Sequence, residues 1–233
     1  MGESTPDEIS PSRIDERRLL LVGAGAGLGA AVARRFGQGG YRLTLVARSV
    51  ERLNSLAAEL ADSGAAIDTI SADVGDPDDL GAKLGSLYRE DGAPGLIVYN
   101  AVMGAPDQLM TSNAAHLHEA YAVDVVGAIV VAQVAAPAMR AAGLGTILVT
   151  GGGFADHPIP ALATVSLGKA ALRSAATMLG ADLAPDGIRV ATVTIAGQIS
   201  GETAFTPERI AERYWDIVHS EEPWQSEFRY TGE

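Results

Sequence analysis

The chain of 233 residues contains no cysteine. That excludes disulfides, thiol catalysis and zinc–thiolate centres, and no metal site is expected. Basic residues are scarce: 17 Lys and Arg stand against 29 Asp and Glu, for a formal net charge of -12. A nucleic acid or an anionic membrane surface would need a basic face, so neither is an expected partner. The N-terminal stretch MGESTPDEISPSRIDERR lacks the apolar core and cleavage site of a secretory leader. No apolar run is read as reaching the ~18 residues of a membrane span. The expectation is a soluble cytoplasmic protein.

What is present suits a packed core: 47% of residues are hydrophobic and 27 are glycine. Residues 1–17 are polar, acidic and proline-bearing and read as a disordered tail, leaving 18–233 as one domain. Apolar runs at 19–22, 42–47, 67–72, 96–100, 146–150 and 189–195 read as strands, with an edge strand at 226–230. Between them, helices are expected at 26–38, 50–62, 77–90, 114–142 (one or two helices), 166–183 and 207–218. Alternation of helices with continuously apolar strands predicts a doubly wound α/β fold of the Rossmann type. It would have a parallel sheet of about seven strands with helices on both faces. Its ligand belongs at the carboxyl ends of the strands.

The first strand runs into Gly23, Gly25, Gly27, Leu28 and Gly29 and then into a helix. Glycines there let the backbone approach a pyrophosphate, and the helix start offers amide donors. A binder of NAD(H) usually ends its second strand on an acid that holds the ribose 2′-hydroxyl. Here Arg48 and Ser49 stand instead. A guanidinium pairs with a 2′-phosphate, so NADP(H) is expected and NAD(H) is the lesser fit.

With these motifs the chain resembles the short-chain dehydrogenase/reductase family over about residues 18–232. The family's glycine pattern falls on Gly23, Gly27 and Gly29, its Asp-Val pair on Asp73 and Val74, and its Asn-Ala pair on Asn100 and Ala101. Its Lys-Ala-Ala-Leu run falls on Lys169–Leu172, and the loop after the sixth strand is Ala196-Gly197 with Ile199 following. The resemblance implies that all these residues, Lys169 included, border the cofactor, Asp73 at the adenine. It also implies a homodimer or homotetramer built on helix faces rich in small residues, and a small-molecule substrate.

The same resemblance implies three losses. The family's catalytic serine position is Gly152, its tyrosine position is Val165, and its helix asparagine is Asp124. The first two positions keep the family's spacing of thirteen residues. In the enoyl-thioester reductase branch the tyrosine position is Leu162, so that branch offers no substitute. Lys169, Asp124 and His157 are the candidates for acid–base work. Ser166 and Thr164 read as packing or capping residues, Tyr121 as helix packing, and His116 as a solvated helix-start residue. Met103, Met110 and Phe154 fit either an apolar pocket or the core. Three functions follow from these features. One is an oxidoreductase with a non-standard proton donor, one is a non-redox isomerase, cyclase or lyase, and one is a silent NADP(H)-binding regulatory subunit.

Overall fold

The computed structural model describes residues 13–233, so positions 1–12 of the tail expected over 1–17 lie outside the described residues. Seven strands, β1 (Ile14–Val22), β2 (Arg42–Ala47), β3 (Ile67–Ser71), β4 (Ala93–Tyr99), β5 (Gly145–Gly152), β6 (Ile188–Ile195) and β7 (Glu227–Tyr230), form one sheet. Their order is β3-β2-β1-β4-β5-β6-β7, and every pairing is parallel. The helices are α1 (Leu28–Gln38), α2 (Val50–Glu59), α3 (Pro77–Asp91), α4 (Ala114–Tyr121), α5 (Gly127–Ala142), α6 (Ala163–Leu183) and α7 (Pro207–His219).

Alternation along each buried strand sends side chains into two cores. Leu19, Leu21, Val98 and Leu148 meet Phe36 of α1 and Tyr214 of α7 on one face. Leu20, Val22, Ile97 and Val149 meet Leu84 of α3, Val131 of α5 and Leu172 of α6 on the other. Helix starts are set locally. The Ser49 hydroxyl accepts from the Arg52 amide, and the Asp76 carboxylate accepts from the Asp79 amide just before Pro77. Thr206 caps α7 in the same way before Pro207. Such caps are each worth about 1 kcal/mol.

Two expectations are corrected. The domain starts earlier than Arg18, because β1 begins at Ile14 and pairs with β4 from Ile14↔Ala93. The Ala93 amide donates to the Arg13 carbonyl at 2.7 Å, and a Cβ on Gly95 would stand 2.6 Å from Glu16 Cα. The polar sequence hid this strand because its pairing with Ala93 and Pro94 relies on the close approach that Gly95 allows to the Glu16 backbone rather than on an apolar run. Arg18 is fully buried and donates to the Gly92 carbonyl and to Asp91 Oδ2. The second correction concerns 114–142. This 29-residue helical path has a stretch of mean hydropathy 1.9, so it is long and apolar enough to cross a membrane. In this fold 61% of that stretch is buried inside the protein, because alanine and valine there pack on the sheet and on α6.

Candidate functional site

The strand order reverses between β1 and β4, and their carboxyl ends open a crevice there. Gly23 turns the chain at φ +86°. Its amide and that of Ala24 donate to the Val46 carbonyl, and a Cβ on it would stand 2.4 Å from the Ala101 amide nitrogen. Only glycine fits that close crossing. Gly29 is held equally tightly, with its Cβ position 2.9 Å from the Gly23 carbonyl oxygen. Gly25 and Gly27 differ: both are exposed, and a Cβ on either would meet nothing within 4 Å. No protein packing explains their lack of side chains. The amides of Leu28 and Gly29 at the head of α1 have no acceptor among the described residues. Open glycines beside unpaired amides form a cradle that an anionic group would fill.

Arg48 is exposed beyond β2 and makes no ion pair among the described residues. The Ser49 hydroxyl is committed to capping α2 and to donating to Glu51 Oε2 at 2.8 Å. Asp73 Oδ1 accepts from the Gly75 amide at 2.9 Å, and Val74 is buried beneath it.

Asn100 leaves β4 beside the glycine turn and donates from Nδ2 to the Gly23 carbonyl at 3.1 Å. The Thr150 hydroxyl bonds both Asn100 Oδ1 (3.0 Å) and the Tyr214 hydroxyl (2.8 Å). Burial raises the Tyr214 pKa, so its hydroxyl stays neutral. Lys169 of α6 donates from Nζ to the Thr150 carbonyl at 2.6 Å. Burial lowers the Lys169 pKa to about 8, although the nearby Asp124 charge opposes the shift.

Asp124 is 3% exposed and sits in a widened turn over Ala122–Val126 that joins α4 to α5. Such single wide turns re-aim a side chain within a helix. Its Oδ1 accepts from the Met103 amide at 2.7 Å, while its buried Oδ2 has no partner among the described residues. Burial raises the Asp124 pKa, against the Met103 amide and the Lys169 charge, which lower it. A Cβ on Gly168 would stand 2.5 Å from Asp124 Oδ2, so the lack of a side chain at Gly168 admits the carboxylate.

Gly152 ends β5 against the Lys169 stem: a Cβ on it would lie 3.7 Å from Lys169 Cγ. Val165, one turn before Lys169, is buried yet belongs to neither core. The structure thus gathers Gly152, Val165, Lys169 and Asp124 beside the glycine turn. His157 is exposed, and its side chain makes no hydrogen bond among the described residues. Thr164 and Ser166 have structural duties. The Thr164 hydroxyl donates to Asp107 Oδ2, and the Ser166 hydroxyl donates to the Leu162 carbonyl.

Three sequence readings change here. His116 is half-buried rather than solvated, and its Nε2 lies 2.9 Å from Asp107 Oδ2. Burial by itself would raise the Asp107 pKa, but hydrogen bonds from Thr164, His116 and the backbone outweigh it and hold the carboxyl at about 2. Tyr121 is half-exposed rather than packed. Met110 belongs to no core and is 95% exposed, whereas Met103 packs against the core beneath it. Beyond β6, Ala196 donates to the Tyr230 carbonyl, Gly197 is covered by the Phe205 ring, and Ile199 is exposed. A separate cleft of about 400 Å³ lies at the opposite end of the sheet. There Arg17, Arg189 and Tyr41 already have the partners Gly39, Thr146 and His219.

A doubly wound parallel sheet with a glycine turn at its switch point, and a buried lysine on the β5–β6 crossover helix, defines a dinucleotide-binding α/β protein. Residues 17–209 match the short chain dehydrogenase family, and the chain belongs to that family. The oxidoreductase asL5 of Sarocladium schorii is 26% identical over 211 residues, 91% of this chain and 82% of that protein. Sulfoacetaldehyde reductase 2 of Chromohalobacter salexigens is 30% identical over 190 residues, 81% of this chain and 74% of that protein. Among solved structures, a metagenomic short-chain oxidoreductase in complex with NADP superposes with a TM-score of 0.82. It is 25% identical and covers 94% of this chain and 99% of that one.

Proposed function

We propose that this protein is an NADP(H)-dependent oxidoreductase whose proton donor is not the family's tyrosine. The observation that carries the reading is the open cradle at Gly25 and Gly27 beside unpaired helix amides, with Lys169 buried a short way along the same crevice. In this reading the Gly23–Gly29 turn and the head of α1 hold the pyrophosphate. Asp73, Val74 and Ala101 border the adenosine, and Lys169 with Asn100 borders the nicotinamide ribose. Ala196, Gly197 and Ile199 flank the nicotinamide. Arg48, free of any ion pair among the described residues, answers the 2′-phosphate. Ser49 acts indirectly, by fixing the start of α2 next to Arg48.

When bound, NADPH supplies the reducing equivalent at its nicotinamide ring. The chain must supply the proton. Gly152 and Val165 stand where the family keeps its serine and tyrosine, and neither carries one. Losing a positioned general acid costs about 10²–10⁴ in rate. Lys169, with a pKa near 8, carries a transferable proton at neutral pH. Burial pushes the Asp124 pKa up, and its charge beside Lys169 favours the protonated ammonium. A proton passes from Lys169 Nζ to the carbonyl oxygen of the substrate as it becomes an alcohol.

A second reading is favoured by one observation: both hydroxyls flanking Val165 are committed elsewhere. It makes the protein an NADP(H)-binding subunit without turnover. Calorimetry with NADP+ and NAD+, followed by nicotinamide absorbance under a carbonyl panel, separates the two. Turnover supports the first reading, and binding with no conversion supports the second. No affinity for either nucleotide in folded protein defeats both. Arg48→Ala should weaken NADP+ binding about tenfold and leave NAD+ binding alone. We also propose a homodimer or homotetramer through the faces of α5 and α6, which sedimentation tests.

A further inference from the structure

The loops around the proposed reaction centre carry a charge pattern that narrows the substrate. Residues 101–113, 153–162 and 196–206 leave the adjacent strands β4, β5 and β6 at the end of the sheet where Lys169 and Gly152 meet. They are tied to one another. The Asp107 amide donates to the Ala161 carbonyl at 3.1 Å, and the Cβ position of Gly153 is 3.6 Å from Ala196 Cα. Nine large hydrophobic side chains are exposed among the described residues, and five of them, Val102, Leu109, Met110, Ile159 and Ile199, lie on these three loops. Exposed apolar side chains gathered on loops that border a reaction centre point to a binding surface.

None of the three loops contains a lysine or arginine. Their buried carboxylate, Asp107, is fixed in its charged form by Thr164 and His116. Asp156 is taken by Arg173 and Arg229, which leaves those guanidiniums engaged as well. Lys169 belongs to α6 rather than to these loops, and in the reading above it serves the carbonyl oxygen of the substrate. A carboxylate, sulfonate or phosphate on the substrate would enter a protein of net charge -12 with no lysine or arginine on these loops to meet it, His157 being their one basic side chain.

We infer that this site takes an uncharged, largely apolar ketone or aldehyde and discriminates against anionic carbonyl compounds. The inference rests on the NADP(H)-dependent reading given above. The test uses the full chain saturated with NADP+ and three probes of one acyl length: methyl γ-ketodecanoate, γ-ketodecanoate and γ-ketodecanoyl-CoA. Calorimetry at low salt should give the methyl ester at least about tenfold tighter binding than either anion. Met110→Glu and Ile159→Glu should each weaken ester binding about fivefold at unchanged NADP+ affinity. Val102→Lys should narrow the gap between ester and carboxylate. Equal or tighter binding of either anion overturns the inference, and so does absence of ester binding. It is also overturned if Met110→Glu shifts the sedimentation coefficient while ester binding stays the same, since the apolar rim would then be a protein contact. Failure of NADP+ to bind is a separate result that defeats the cofactor reading instead.

Discussion

Lys169 and Thr150 are joined across the centre of the molecule: the buried ammonium donates to the Thr150 carbonyl at 2.6 Å. One acceptor for three donor hydrogens leaves the charge poorly compensated, and its pKa falls from 10.5 to about 8. Between those values the unfolded chain holds a proton that the folded chain has released. Stability therefore rises with pH through that window, and below about pH 8 the fold bears the full cost of the buried charge. Lys169→Met should stabilise the nucleotide-free protein at pH 7 by about 1–3 kcal/mol. The gain should fade as pH climbs from about 8 to 10.5. Urea melts across pH check it, and a less stable variant at pH 7 would contradict it.

The two kinds of glycine in the first turn should separate under mutation. Gly23→Ala forces a side chain into the Ala101 backbone at positive φ, at a cost on the order of 3 kcal/mol. Gly25→Ala enters open space, so stability should hold within about 0.5 kcal/mol while NADP+ affinity falls more than about tenfold. Thermal unfolding paired with nucleotide titration distinguishes them.

Restoring the family's side chains should raise reductase activity. A serine at Gly152 fits beside Lys169, because its Cβ would stand at ordinary contact distance from the lysine stem. A tyrosine at Val165 replaces a buried side chain that neither core claims. Gly152→Ser with Val165→Tyr should increase NADPH-dependent reduction of neutral ketones by at least about tenfold. The single changes should give much less, since such groups act as a unit. No increase in the double variant would tell against the assignment of those two positions.

The hydroxyl chain Tyr214–Thr150–Asn100 crosses the sheet from α7 to the glycine turn. Tyr214→Phe removes one bond of the Thr150 hydroxyl and leaves the other, for a loss of about 0.5–1.5 kcal/mol. Thr150→Val strands both Asn100 Oδ1 and the Tyr214 hydroxyl, and should cost about 1–3 kcal/mol. Denaturant midpoints rank the two.

The fold was readable because its signals are local. Apolar runs such as Leu19–Val22 and Leu43–Val46 mark buried strands, and Pro77 and Pro207 mark helix starts in the right places. The Ile14–Arg17 segment was not readable, since its pairing depends on a distant glycine, Gly95, that admits the backbone of Glu16. Within the site, the glycine turn stood out by its residues, and Asn100 and Lys169 by the family resemblance. The bonds of Thr150 to Asn100 and Tyr214, and those of Asp107 to Thr164 and His116, had no sequence signal. Each joins residues from separate elements.

The amino-acid order alone determined the sheet, the glycine turn at its switch point and the absence of hydroxyls at positions 152 and 165. Periodicity and residue type act over a few neighbours, so they survive in a linear reading. Tertiary structure decided which polar groups face each other without water. It buried Lys169 and Asp124 together, left Asp124 Oδ2 without a partner among the described residues, and exposed Met110. Desolvation depends on everything packed around a group, and no stretch of chain carries that information by itself.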